Sequence, residues 1–304
     1  MCGIAGVINL NGSDPSYPVG ASLMTLAACL QHRGTDSAGI AVFGPHPGKA
    51  GMQSLEVIIP ERLPEPRIVY DLGQGMLSDL DVVPGGFKAS VKLGDDDPVK
   101  EIIALVSRIE TGLPGSVVTS YGEFMSVRKV IGEAVGLSDA VSDWTGTHGI
   151  AHLRLATESK IDPAHAQPFW GRPYPDIAVT HNGHITNYYK MRKRFEARGF
   201  TLASHNDSEI IGLYLGEKMA EGYTLKESLE AARTDLDGSF SFIVATAKGL
   251  GVTRDPIATK PLLYCEKDGL VVLASEQQGL RHLMGETVTV KEIKPLEVRV
   301  WEKE

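Results

Sequence analysis

The chain begins MCGIAGV, with a cysteine at position 2 followed by a glycine and a short apolar run. A small residue after the initiator methionine favours removal of that methionine. Cys2 would then carry a thiol and a free α-amine on one residue. A thiolate is the strongest nucleophile a side chain offers, but a thiol of pKa ~8.5 is only a few per cent ionised near neutrality and needs a base. An α-amine of pKa ~7.7–8.0 is such a base. Sharing a residue with the thiol, it costs little entropy to position. The plain alternative is an incidental cysteine near a terminus.

Three further segments carry groups that could complete this chemistry. In HLRLATES (152–159), strand alternation sends Arg154 to the face opposite Leu153 and Leu155, which would pack inward. A guanidinium between leucines needs a partner. A substrate carboxylate held by a bidentate fork supplies one, and so does a structural ion pair. In THNGHITN (180–187), HNG after a strand is turn chemistry, with Gly183 free to take positive φ. The Asn182 amide and a following backbone N–H could converge there as an oxyanion hole; the alternative is an ordinary β-turn. In HNDSE (205–209), Asn206, Asp207 and Ser208 are all good helix N-caps. Asp207 could instead receive a substrate ammonium. A nucleophile with its own base, a carboxylate clamp, an ammonium clamp and an oxyanion hole are together what hydrolysis of glutamine requires.

These segments lie far apart, so a fold must gather them. At 304 residues the chain can build a sizeable core. GVINL (6–10), GIAVFG (39–44), HGIAHLRLAT (148–157) and DIAVTHNG (176–183) read as strands, the last two ending in turns. ASLMTLAACLQH (21–32) reads as a helix. Helices follow at about 187–199 and 207–221. Thr224 and Glu227 form a capping-box signature that opens another. GSFSFIVATA (238–247), GVTRD (251–255), LLYCE (262–266) and LVVLASE (270–276) read as strands of one antiparallel sheet. Between about 45 and 147 glycine and proline recur, with helices expected at 95–112 and 126–137. That stretch is expected to be an insertion or subdomain within a single domain spanning 1–304. Strand runs with helices gathered in blocks indicate an α+β class.

Composition narrows the function classes. A net charge of −8 without a dense basic block argues against a nucleic-acid surface; KMRKRF (190–195) reads as the solvated face of a helix. No segment approaches the ~18 apolar residues of a membrane span, and the amino terminus lacks the marks of a signal peptide. Three cysteines in no framework spacing suggest a reducing, cytoplasmic compartment. Cys29 and Cys265 read as small buried hydrophobes. His148, His152, His165, His181, His184 and His205 show no metal-ligand spacing, so no metal is expected; His181 is read as a brace for the turn.

The ordered set CGIAGV, QHRGTDSAG (31–39), HLRLAT, HNGHITN, NDSE, and RDPIATKPL (254–262) with ASE (274–276) resembles the class II glutamine amidotransferases, which are N-terminal-nucleophile (Ntn) hydrolases. The resemblance covers nearly the whole chain apart from 45–147. It implies an αββα sandwich of two antiparallel sheets between helical layers. It implies Cys2 as nucleophile with its α-amine as base, Arg154 on the glutamine α-carboxylate and Asp207 on its α-amine. Asn182 and Gly183 would form the oxyanion hole, and Arg33, Gly34 and Asp36 match a loop that shapes the pocket. HAQPF (165–169) stands where many members read NAHPF, and no ammonia-consuming domain is expected to follow. The whole pattern is similar to stand-alone amidotransferase subunits of glutamate-synthase-like complexes, of the N-methylglutamate synthase type. That implies a hetero-oligomer in which partner subunits accept the ammonia and carry FMN and iron–sulfur clusters, with no cofactor in this chain. Two other readings stay open: a stand-alone Ntn amidohydrolase on a γ-glutamyl compound, and a non-catalytic glutamine-sensing subunit, which retention of Met1 would favour.

Overall fold

The computed structural model describes residues 1–11, 16–44, 52–59, 62–156 and 160–303. From the amino terminus, β1 (Gly3–Asn9), α1 (Val19–Leu30) and β2 (Ser37–Phe43) open the chain. Next come β3 (Gln53–Ile58), α2 (Pro66–Gly73), β4 (Leu77–Val83), β5 (Gly86–Val91), α3 (Pro98–Gly112) and β6 (Val117–Gly122). After them run β7 (Met125–Ile131), α4 (Ser138–Val141), β8 (His148–Arg154), β9 (Phe169–Trp170) and β10 (Ile177–Ile185). Three helices follow, α5 (Tyr188–Glu196), α6 (Ser208–Ala220) and α7 (Leu225–Asp235). The chain closes with β11 (Gly238–Thr246), β12 (Gly249–Arg254), β13 (Leu263–Lys267), β14 (Leu270–Ala274), α8 (Gln277–Met284), β15 (Lys291–Glu292) and β16 (Val298–Glu302).

Two sheets form the sandwich. One has seven strands in the order β15-β13-β14-β1-β8-β2-β7, and the other five in the order β16-β12-β11-β10-β9, so the four strands expected in one sheet at 238–276 are divided, β11 and β12 in the second and β13 and β14 in the first. The strand pairs within both are antiparallel. The period-2 alternation of β1 decides its two faces. Ile4 and Ile8 point to the other sheet, where they meet Ile243, Leu250 and Val252. Ala5 and Val7 point outward, against Leu23, Leu26 and Leu30 of α1 and Leu280 of α8. On the far side, Val179, Phe240 and Val244 pack against Ile211 and Leu215 of α6 and Leu229 of α7. The layers are therefore helix, sheet, sheet, helix, the αββα arrangement that the family resemblance implied.

The stretch 45–147 divides in two. Strands β3 to β6 make a separate four-stranded sheet, ordered β4-β5-β3-β6, with α2 and α3 beside it. Strand β7 instead joins the edge of the seven-stranded sheet, in register with β2 from Ser37↔Ile131 to Phe43↔Met125. Segment 126–137, expected as a helix, is thus strand and then a 3₁₀ turn. Met125 and Val127 are buried and their neighbours less so, a period of two that an edge strand requires. Helix α3 begins at Pro98, with the Asp97 carboxylate capping the Lys100 N–H at 3.0 Å. The Thr224–Glu227 capping box is formed. Cys265 is buried; Cys29 is half-buried, where full burial was expected. No helix among the described residues is long and apolar enough to cross a membrane.

Candidate active site

A cavity of about 900 Å³ opens where β1 begins, β8 ends, β10 passes and α6 starts. Five of the eight site residues singled out in the sequence line it: Cys2, Arg154, Asn182, Gly183 and Asp207. Arg33 and Asp36 stand behind the wall, and Gly34 lies close against the Arg154 backbone. Arg33 Nε donates to the Cys2 carbonyl at 3.1 Å while its Nη1 donates to Glu276 at 2.6 Å. Asp36 accepts from the Ala156 N–H at 2.7 Å, fixing the chain just past Arg154.

Cys2 sits one residue before β1, which pairs with β8 from Gly3↔Leu153 onward. Its carbonyl is held twice, by Arg33 and by the Asn182 side-chain amide at 3.0 Å. Burial pushes the Cys2 thiol above its ordinary range, against the pull of the amino terminus, Arg154 and Arg33. A thiol raised in this way depends on a nearby base. Met1 also lines the cavity and is 57% exposed. Cleavage of the Met1–Cys2 bond would leave the α-amine of Cys2 on the cavity wall.

Strand β10 supplies the rest through an unequal pair of edges. On the β11 side its ladder runs unbroken from Ile177↔Thr246 to Ile185↔Gly238. On the β9 side only two pairs form, Ala178↔Trp170 and Val179↔Phe169. In an antiparallel strand, alternate residues turn their N–H groups to the same edge. Beyond Val179 those are His181, Gly183 and Ile185. Phe240, opposite Gly183, turns its own N–H and carbonyl to Asp255 on the far side, so the Gly183 N–H faces the open edge. The His181 N–H is met by Gln167 Oε1 at 2.6 Å and the Ile185 N–H by Asp207 Oδ2 at 2.7 Å. Between them, Gly183 presents its N–H to the cavity. Its φ is +147°, and a Cβ there would lie 2.0 Å from the Ser239 carbonyl; only glycine fits. The expected turn at HNG is therefore a strand that continues to Ile185, although the positive φ is present. Asn182 donates one amide N–H to the Cys2 carbonyl, which leaves a second donor on the same nitrogen. Two donors beside a thiol are what a developing oxyanion needs.

The clamp residues differ in setting. Arg154 is 3% exposed and donates to the Lys160 carbonyl at 2.8 Å. Leu153 packs on the helical side, as alternation requires. Leu155, expected to join it, lies past the strand end and is 42% exposed. Asp207 precedes α6 without capping it through its side chain. Its Oδ2 is also 3.5 Å from His184 Nδ1. Residues 157–159 of HLRLATES lie outside the described residues.

Gln167, His181 and Ser208 form a buried polar group that also lines this cavity, beside the oxyanion donors. His181 does not brace a turn; its Nδ1 lies 2.8 Å from Ser208 Oγ and joins β10 to α6. Burial lowers its pKa and holds that of His152 at about 3, so both rings are neutral at physiological pH. Among the described residues no three His, Cys, Asp or Glu side chains are placed to hold a metal ion. The QPF segment was visible in the sequence, but nothing local assigns Gln167 to strand β10.

A family model described as a glutamine amidotransferase domain matches residues 152–282. A protein of Methanothermobacter thermautotrophicus named "Putative glutamine amidotransferase" is 35% identical, over 99% of this chain and 100% of that one. The glutamine amidotransferase-like protein GlxB of Rhizobium meliloti is 33% identical, over 99% of this chain and 98% of its own length. Among solved structures, the glutamine phosphoribosylpyrophosphate amidotransferase of B. subtilis superposes with a TM-score of 0.62 at 18% identity, over 99% of this chain and 47% of that one. That last likeness is one of fold.

Proposed function

The chain belongs to the class II glutamine amidotransferase family, and from that premise we propose that it hydrolyses glutamine through a Cys2 thioester and passes the ammonia to a partner synthase subunit of glutamate-synthase-like or N-methylglutamate synthase type. The observation that carries the catalytic part is the convergence of Cys2, Arg154, Asn182, Gly183 and Asp207 on one cavity. Arg154 suits an α-carboxylate and Asp207 an α-ammonium, so a glutamine gripped by both ends would present its side-chain amide to Cys2.

In the proposed sequence the α-amine of Cys2 takes the thiol proton and Sγ bonds to the amide carbon. The carbonyl oxygen becomes an oxyanion facing Asn182 and the Gly183 N–H. The α-ammonium returns its proton to the nitrogen as the carbon–nitrogen bond breaks, and ammonia leaves. The amine then takes a proton from water as that water adds to the thioester. The carbon–sulfur bond breaks, glutamate departs and the thiol is restored. The partner and the cofactors it would carry rest on the motif order alone.

The test is mass analysis of the amino terminus after incubation with a glutamine-like diazo-ketone. The expected result is one adduct on a Cys2 that has lost Met1, with low glutaminase turnover that rises when the partner is supplied. A chain retaining Met1 and taking up no adduct returns the reading to a non-catalytic glutamine sensor. Full turnover in the lone protein, unaffected by any partner, supports instead an amidohydrolase acting on a γ-glutamyl compound.

A further inference from the structure

The open edge of β10 poses a structural problem that one side chain resolves. Strand β9 is two residues long, and its ladder with β10 ends at Val179↔Phe169. The next residue on that edge is His181, one position before Asn182. A full strand neighbour would both accept from its N–H and donate to its carbonyl. Gln167 does both. Its Oε1 accepts from the His181 N–H at 2.6 Å, and its Nε2 donates to the His181 carbonyl at 3.2 Å. The same Nε2 lies 3.1 Å from Ser208 Oγ, which fixes the amide plane from the α6 side. The His181 carbonyl is also 3.2 Å from His152 Nε2 of β8. Gln167 is 4% exposed. Its backbone lies so close to β2 that a Cβ at Gly39 would fall 2.1 Å from its carbonyl oxygen. The side chain is therefore anchored at both ends.

We propose that Gln167 is a positioning residue: its amide stands in for the strand neighbour that β9 does not reach, and so holds Asn182 and the Gly183 N–H in register with Cys2. The inference rests on the amide-hydrolysis reading for its effect on rate, while the clamp itself is a property of the fold. A primary amide suits this role because it carries an acceptor and donors on one planar group. A carboxylate keeps the acceptor for the His181 N–H and loses the donor. An alanine loses both.

The test compares wild type, Gln167→Glu and Gln167→Ala in three measurements. Glutamine turnover is expected to fall about 10²-fold in Gln167→Ala, the scale of one lost oxyanion donor, with less loss in Gln167→Glu and KM within about threefold. Alkylation of Cys2 by iodoacetamide develops no oxyanion and should keep its wild-type rate. Amide hydrogen exchange of the peptide spanning 177–185 should accelerate in Gln167→Ala. Unchanged turnover, or alkylation that falls in step with turnover, overturns the positioning role. Should wild type fail to hydrolyse glutamine, the exchange measurement still decides the clamp: protection unchanged in Gln167→Ala overturns it.

Discussion

The two edges of β10 belong to one strand and have opposite tasks. Toward β11 the ladder is continuous over nine pairs, and its partners are backbone. Toward β9 it stops after two, and side chains finish it: Gln167 at His181 and Asp207 at Ile185. The closed edge carries stability. The open edge carries the candidate site, because a backbone N–H that no strand satisfies is a donor available to a reacting oxygen. A complete β9 would remove the candidate oxyanion hole.

The comparison can be broken most severely at Cys2. Replacement by alanine should lower glutamine turnover by about 10⁴-fold or more, leaving the thermal midpoint near wild type, since among the described residues the thiol donates only one weak contact, to the Leu155 carbonyl at 3.7 Å. Near-normal turnover would end the nucleophile assignment. Asn182→Ala attacks the open edge alone: kcat should drop about 10²–10³-fold with KM little changed, read by steady-state kinetics. Gly183→Ala attacks both edges together, because its Cβ would strike the Ser239 carbonyl on the β11 side. Strain of about 1–3 kcal/mol should appear in urea unfolding along with lost turnover.

A separate expected effect, on stability alone, concerns two buried histidines between the sheets, His148 and His152. Burial lowers both His148 and His152 to about 3. The unfolded chain, with histidines near ~6.5, binds protons that the folded chain refuses. Their contribution to stability is therefore complete above about pH 6.5 and is lost as pH falls toward 3. Each should cost about 2 kcal/mol between pH 7 and pH 5, measured as the shift in urea unfolding free energy. His148 is satisfied on both ring nitrogens, by Thr147 Oγ1 at 2.9 Å and the Thr246 carbonyl at 2.7 Å. Among the described residues His152 Nδ1 has no hydrogen-bond partner. In His148→Gln the pH dependence should shrink by about half; an unchanged slope would remove His148 from this account.

Much of the scaffold was legible because its signals are local. The capping box at Thr224 and the apolar stripe of α1 each follow from neighbouring residues. Segment 126–137 misled because its spaced apolar residues fit a helix, whereas pairing with β2 made an edge strand of its first half. Leu155 misled because alternation cannot tell where a strand ends. HNG offered turn chemistry, and the nine-pair ladder with β11 overrode it.

The residue types of the site were set by the sequence alone: a second-position cysteine, an arginine ending a strand, an Asn-Gly step and an aspartate before a helix. Their chemistry belongs to the side chains and survives any fold. Which of them face one cavity, and that Arg33 and Asp36 support it from behind, was decided only by the sandwich. Gln167 drew its role from the same source. A side chain that completes another strand's hydrogen bonds has no sequence period, because its partner is fixed by contact through space and not by position along the chain.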